Sequence, residues 1–291
     1  MKMMTISEAV SEVPGVVGVA ARHLETGKTI EYNADEVFFT ASTFKVPILA
    51  ELYRQVDAGT LDLSQRVDLT DSLRVPGSGV LRELGNGLAP NLHDLAMLMI
   101  IVSDNLATDI LYHTVGKDNL NRTMGDLGLS KTKLPMSCRD LLFSLAGLTV
   151  SESLDDFWEV SDRVEQGYRG LSPDCDALNE EKSDVSSPSD MVRLLEIVHN
   201  GDFLSEVSRD GMLHILKRQK LRSIIPYYLP PDVIVAHKTG GVYSVRCDVG
   251  IVWGPSGPYT VAIMAKRITD STDLDPKLAR ISRIVFDEMA G

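Results

Sequence analysis

DVIVAHKTG (232–240), CDVGIVW (247–253) and YTVAIMAK (259–266) are runs rich in β-branched residues, divided by Gly, Pro and Ser, and they read as three consecutive strands. Their counterparts lie near the other end of the chain. VVGVAARH (16–23) and TIEY (29–32) flank the turn Glu25-Thr-Gly-Lys28 and predict a hairpin. Between the two ends the period changes. From Phe44 to Ala58 the apolar residues recur at helical spacing and stop at Gly59. Asn91 is placed to cap LHDLAMLMIIV, with Asp94 in the first turn where the helix dipole favours it. Further helices are expected over 105–114, 117–126, 189–199 and 203–217. Pro276 opens a terminal helix, 277–289, with Leu278, Ile281, Ile284 and Val285 apolar. This order predicts an α+β fold whose antiparallel sheet is made from both chain ends, with a helical domain inserted between. The expected division is 1–40 with 220–291 for the sheet domain and 41–219 for the helical domain, the latter with an extended loop or lid near 136–185.

Composition removes several function classes. A chain of 291 residues, 44% of them apolar, can bury a substantial core. Its net charge of -12 argues against nucleic acid and leaves no polybasic handle for anionic lipid. No apolar run has the length to cross a bilayer. The opening MKMMTISEAVSEVPG carries glutamates where a secretion signal is uninterruptedly apolar, so a cytoplasmic location is expected unless the chain has been trimmed. Cys138, Cys175 and Cys247 are odd in number and scattered, against a disulfide framework, and the six histidines show no zinc-ligand spacing. No cofactor or metal is implied, and nothing addresses oligomeric state.

Three short motifs carry the chemistry: Ser42-Thr-Phe-Lys45, Ser103-Asp-Asn105 and Lys238-Thr-Gly240. Ser42 falls at a predicted helix start, where free N–H groups favour a developing oxyanion, and Lys45 lies one turn on along the same face. A hydroxyl needs an adjacent base, and a lysine serves only once burial or a second cation has lowered its pKa; Lys238 is the natural second cation. Read more plainly, Ser42 caps the helix and Lys45 is solvated. Ser103 and Asn105 fall on a short connector, where the hydroxyl can relay a proton and the amide can orient a substrate amide. Capping is the plainer role for this triplet too, and Asp104 can cap while its neighbours face a cleft. Lys238-Thr-Gly-Gly241 follows a β-branched run and so lies on a strand; its glycines admit close approach of a ligand, and the Gly241 N–H can complete an oxyanion hole with that of Ser42, a Gly-rich hairpin end being the plainer reading.

S-x-x-K, S-D-N and K-T-G together resemble the signature of class A β-lactamases and penicillin-binding proteins. The likeness to the class A family extends over nearly the whole chain, through the opening hairpin, LHDLAMLMIIVSDNLATDILYHTVG and the closing strands that end in GIVWGP. It implies helices on both faces of a five-stranded antiparallel sheet, an all-helical second domain and a cleft between. It implies that Ser42 is the acylated nucleophile, Lys45 its base, Ser103 the proton relay and Asn105 a substrate-amide contact. Lys238 and Thr239 would hold a substrate carboxylate, and the Ser42 and Gly241 N–H groups the oxyanion. Arg246 falls where many relatives hold a second carboxylate-anchoring arginine; a surface ion pair is its other reading.

The chain departs from the family at the loop E-P-x-L-N, whose glutamate holds the deacylating water. Leu178-Asn179 is the best local match and puts Cys175 at the glutamate's place, with Asp174, Asp176, Glu180 and Glu181 as nearby substitutes and Asp184-Val-Ser-Ser-Pro188 as the end of the loop. The segment between Ser103 and Lys238 is also longer than the family norm. Its surplus falls near 136–170, where Ser153 is placed to cap a helix carrying Leu154, Phe157, Trp158 and Val164 and ending at Gly167. Such a helix is a lid, a piece of core or a partner-facing surface. The expectation is a serine hydrolase that cleaves a carboxylate-bearing lactam, amide or ester through an acyl-Ser42 intermediate. The alternatives are a true β-lactamase, a transacylase or D-peptidase, and an acyl-binding protein without turnover.

Overall fold

Strands from both chain ends share one five-stranded antiparallel sheet in a computed structural model that describes residues 4–167, 171–172 and 174–291. These strands are β1 (Val16–His23), β2 (Thr29–Tyr32), β5 (Ile234–Val242), β6 (Val245–Gly254) and β7 (Gly257–Lys266), in the order β2-β1-β7-β6-β5. Two-residue strands β3 (Phe38–Phe39) and β4 (Val185–Ser186) form a separate ribbon, too short to announce itself by alternation.

The continuous apolar runs of the strands have a simple cause. Successive side chains leave a strand on opposite faces, and both faces of this sheet are covered. On β7, Val261, Ile263 and Ala265 enter one core with Leu278, Ile281 and Val285 of the terminal helix α10 (Leu274–Ala290). Ala262 and Met264 enter a second, larger core with the central helices. The helix α1 (Ile6–Ser11) packs on α10, and α8 (Pro188–Asn200) packs on β1 and β7.

The remaining helices are α2 (Lys45–Asp57), α3 (Leu92–Ile101), α4 (Asn105–Val115), α5 (Lys117–Asp126), α6 (Cys138–Ala146), α7 (Leu154–Glu165) and α9 (Glu206–Leu216). Asn91 caps α3 as expected, its side chain accepting from the Asp94 N–H at 2.8 Å. Ser153 likewise caps α7. α10 begins two residues before Pro276, which sits in the first turn where its missing N–H is not needed. α1 and α6 are additions to the expected elements, although each opens on a capping box, Thr5 with Glu8 and Ser137 with Asp140. Residues 168–170 and 173 of the expected lid segment lie outside the described residues. No helix among the described residues is long and apolar enough to cross a membrane.

Candidate active site

Ser42 lies in a 3-10 turn, Ala41–Phe44, that runs directly into α2. The turn is entered through Ala41 at φ 42°, a left-handed conformation that costs a residue with a Cβ about 1–2 kcal/mol. Such strain persists where surrounding structure dictates it. Here the dictating element is β5: a Cβ on Gly240 would stand 2.8 Å from Thr40 O and 2.9 Å from Ser42 N, so only glycine lets the strand seat against the turn that carries Ser42.

Lys45 opens α2 and is completely buried. Its Nζ donates to Ser103 O at 2.8 Å, Ser103 Oγ at 3.0 Å and Asn105 Oδ1 at 2.9 Å. Ser103 presents both oxygens to the amine because its own backbone is left-handed, at φ 58°. Asp104 does the capping: one oxygen accepts from the Ala107 N–H, the other from Val80 and Leu81. Within the Ser103–Asn105 motif the capping thus falls to Asp104, while Ser103 and Asn105 face the Lys45 amine. Asn105 is fixed on its other side by donating to Pro76 O at 2.9 Å.

Lys238 projects from β5 and is also fully buried, its Nζ donating to Thr239 O at 2.7 Å. Burial pushes both lysines below their ordinary value. Lys238 is pushed far down, by burial first and then by the charge of Lys45. For Lys45 burial outweighs the opposing pull of Cys138, Asp104 and Asp109. The two amines are close enough for the charge of Lys45 to act on Lys238.

Across the β5–β6 hairpin Gly241 pairs with Arg246, and a Cβ at 241 would collide with the Arg246 Nη1. Arg246 donates through Nε to Asp275 at 3.0 Å. It is thus ion-paired and still lines the cleft. Two cavities, of about 320 and 230 Å³, meet at Ser42, Ser78, Gly241 and Arg246. The smaller holds Ser103, Thr239 and Asp275; the larger runs under α6 and α7 past Asn105, Cys138, Leu142 and Val164. Ser42, Ser103, Asn105, Thr239, Gly241 and Arg246 accordingly line one cleft; Lys45 and Lys238 are fully buried and line neither cavity, Lys45 reaching the cleft residues Ser103 and Asn105 through its hydrogen bonds.

Cys175 does not stand at it. That residue precedes a 3-10 turn, Asp176–Leu178, that packs on α6. Asp176 pairs with Lys182 and Glu180 with Lys266, while Asp174 and Glu181 are exposed. None of these four carboxylates lines either cavity. The thiol at the site belongs to Cys138, the first residue of α6, which donates to Asn105 Oδ1 at 3.5 Å. Asp109 seats it by accepting the Cys138 and Arg139 N–H groups at 2.6 and 2.9 Å. The capping box of Ser137 and Asp140 was the available signal for this position; the two-residue match at Leu178-Asn179 drew the register elsewhere. Asp275, beside Arg246, and Ser78, where the two cavities meet, are further site residues that the motifs did not announce.

A sequence model described as "Beta-lactamase enzyme family" matches residues 3–289. Beta-lactamase AER-1 of Aeromonas hydrophila is 26% identical over 279 residues, 94% of this chain and 81% of that protein. The crystal structure of a beta-lactamase from Sphaerobacter thermophilus superposes with a TM-score of 0.80 at 28% identity, covering 98% of this chain and 94% of that one. A point mutant of PBP-A, solved as an acyl-enzyme complex with penicillin G, superposes with a TM-score of 0.79 at 26% identity, covering 97% of this chain and 94% of the other.

Proposed function

Because the chain belongs to the beta-lactamase enzyme family, we propose that it cleaves a carboxylate-bearing β-lactam or similar amide or ester through an ester on Ser42. In this reading the Ser42 oxygen attacks the carbonyl carbon while Lys45 takes the hydroxyl proton. The developing oxyanion is held by the Ser42 and Gly241 N–H groups. As the C–N bond breaks, Ser103 passes the proton to the leaving nitrogen. Asn105 orients the substrate amide, and Lys238, Thr239 and Arg246 receive the carboxylate. The smaller cavity, with Thr239 and Arg246, suits the carboxylate-bearing side; the larger, with Leu141, Leu142 and Val164, suits an apolar acyl group.

The observation that carries this reading is the setting of Lys45. As an ammonium it has three donors, and the three acceptors around it match them. Burial favours the neutral amine. The neutral form keeps two N–H groups and gains a lone pair, which makes it a base, in contact with the Ser103 hydroxyl and three residues on from Ser42 along the turn that enters α2.

A chromogenic cephalosporin with intact-protein mass spectrometry tests the assignment. Ring opening is expected to leave an adduct on the Ser42 peptide, absent from Ser42→Ala. Lys45→Ala is expected to slow acylation by ~10²-fold or more while the fold is retained. Undiminished acylation in that variant would move the base elsewhere.

A further inference from the structure

Acylation and release place different demands on the site, and the second is met poorly. To finish hydrolysis a water must bond through oxygen to the ester carbon and give up a proton, which returns to Ser42 Oγ as the C–Oγ bond breaks. The water therefore needs a base. The described residues lining the larger cavity include no carboxylate and no imidazole, and the one carboxylate lining the smaller cavity, Asp275, is ion-paired with Arg246.

Two carboxylates do act on Lys45 through their charge, Asp104 and Asp109. Both are engaged by backbone. Asp104 accepts from Val80, Leu81 and Ala107, and Asp109 from Cys138 and Arg139. Neither lines either of the two cavities that meet at Ser42. The side chain that stands between Asn105 and the apolar wall is the thiol of Cys138, buried and already donating to Asn105. Burial holds that thiol protonated, so it supplies no thiolate.

We propose that Cys138 occupies the place from which a base would activate the deacylating water, and that the ester on Ser42 is consequently long-lived. The proposal rests on the reading of Ser42 given above. It assigns the chain rapid capture of an acyl group and slow surrender to water, so the acylated protein is the species that accumulates.

Benzylpenicillin in excess, followed by its removal and timed mass measurement, gives the adduct lifetime directly. The wild-type protein is expected to load one equivalent on Ser42 and to keep it for minutes or longer. Cys138→Glu is expected to shorten that lifetime by ~10²-fold. Cys138→Gln, of the same size but without a base, is expected not to shorten it. Wild-type adduct that never accumulates while penicillin is consumed overturns the inference and leaves the acyl-Ser42 reading standing. Equal acceleration by Glu and Gln, or none by a folded and acylating Glu variant, overturns it as well. A Ser42 that accepts no acyl group from benzylpenicillin overturns the underlying reading instead. The wild-type lifetime decides the matter even where a carboxylate at 138 prevents folding.

Discussion

At the scale of single residues, the site is assembled from groups that the fold would be more stable without. Lys45 and Lys238 ionise at 10.5 in the free chain, and both are pushed lower by burial in the native state. A base whose folded pKa is depressed contributes its stability above the unfolded value and loses it as pH falls toward the folded one. Replacing Lys238 by Met is therefore expected to raise stability by about 1 kcal/mol near neutral pH and, on the proposed function, to abolish carboxylate recognition. Urea unfolding should show the advantage of Lys238→Met shrinking as pH rises toward 10.5. A constant difference would mean that Lys238 stays charged in the fold. The left-handed backbones of Ala41 and Ser103 belong to the same pattern. Neither was legible beforehand, because no glycine or asparagine marks these positions; the strain is imposed by β5 and by the Lys45 amine, both distant in sequence.

At the scale of elements, legibility followed the strength of the period. β1, β6 and β7 bury both faces, so their uninterrupted apolar runs stood out, and α3 and α7 were marked by their caps as well as their spacing. α6 was missed because CRDLLFSLA follows a loop of mixed character, and with it went the residue that faces Asn105. For α7 the sequence left three roles open. The structure buries Phe157 (3% exposed) and leaves Trp158 at 55%, with Arg163 donating to Ala146 O at 2.6 Å and Arg82 facing Glu165 at 3.6 Å. The helix is thus held to α6 by its inner face and roofs the larger cavity through Val164. Phe157→Ala is expected to cost roughly 3 kcal/mol, as emptying a buried aromatic site does. Trp158→Ala should stay within about 0.5 kcal/mol in the same denaturant titration. The reverse ranking would mean that the opposite face of α7 is the covered one.

Across the whole molecule the formal net charge is -12, yet Glu51, Asp104, Asp109, Asp184 and Asp248 are buried. Asp184 links distant segments: its Oδ1 accepts from the Met136 N–H at 2.9 Å and its main-chain oxygen from the Thr40 N–H at 3.0 Å. Its Oδ2 is buried without a partner. Burial, then the charges of Asp140 and Asp109, raise its pKa well above 3.8, and burial raises that of Asp109 too. An acid whose folded pKa is raised gives its full stability below the unfolded value and loses it as pH climbs through the folded one. Lys45 and Lys238 tilt the curve the other way, so the slope of the wild-type protein alone cannot identify Asp184. The difference from Asp184→Asn can, because an amide keeps the acceptor for Met136 but carries no proton to lose. The variant is expected to equal or exceed the wild type at about pH 8 and to fall below it at about pH 5. Unfolding curves in urea at the two pH values measure this directly, and parallel behaviour would show that Asp184 is ionised in the fold and that the tie at Met136 is a charged one.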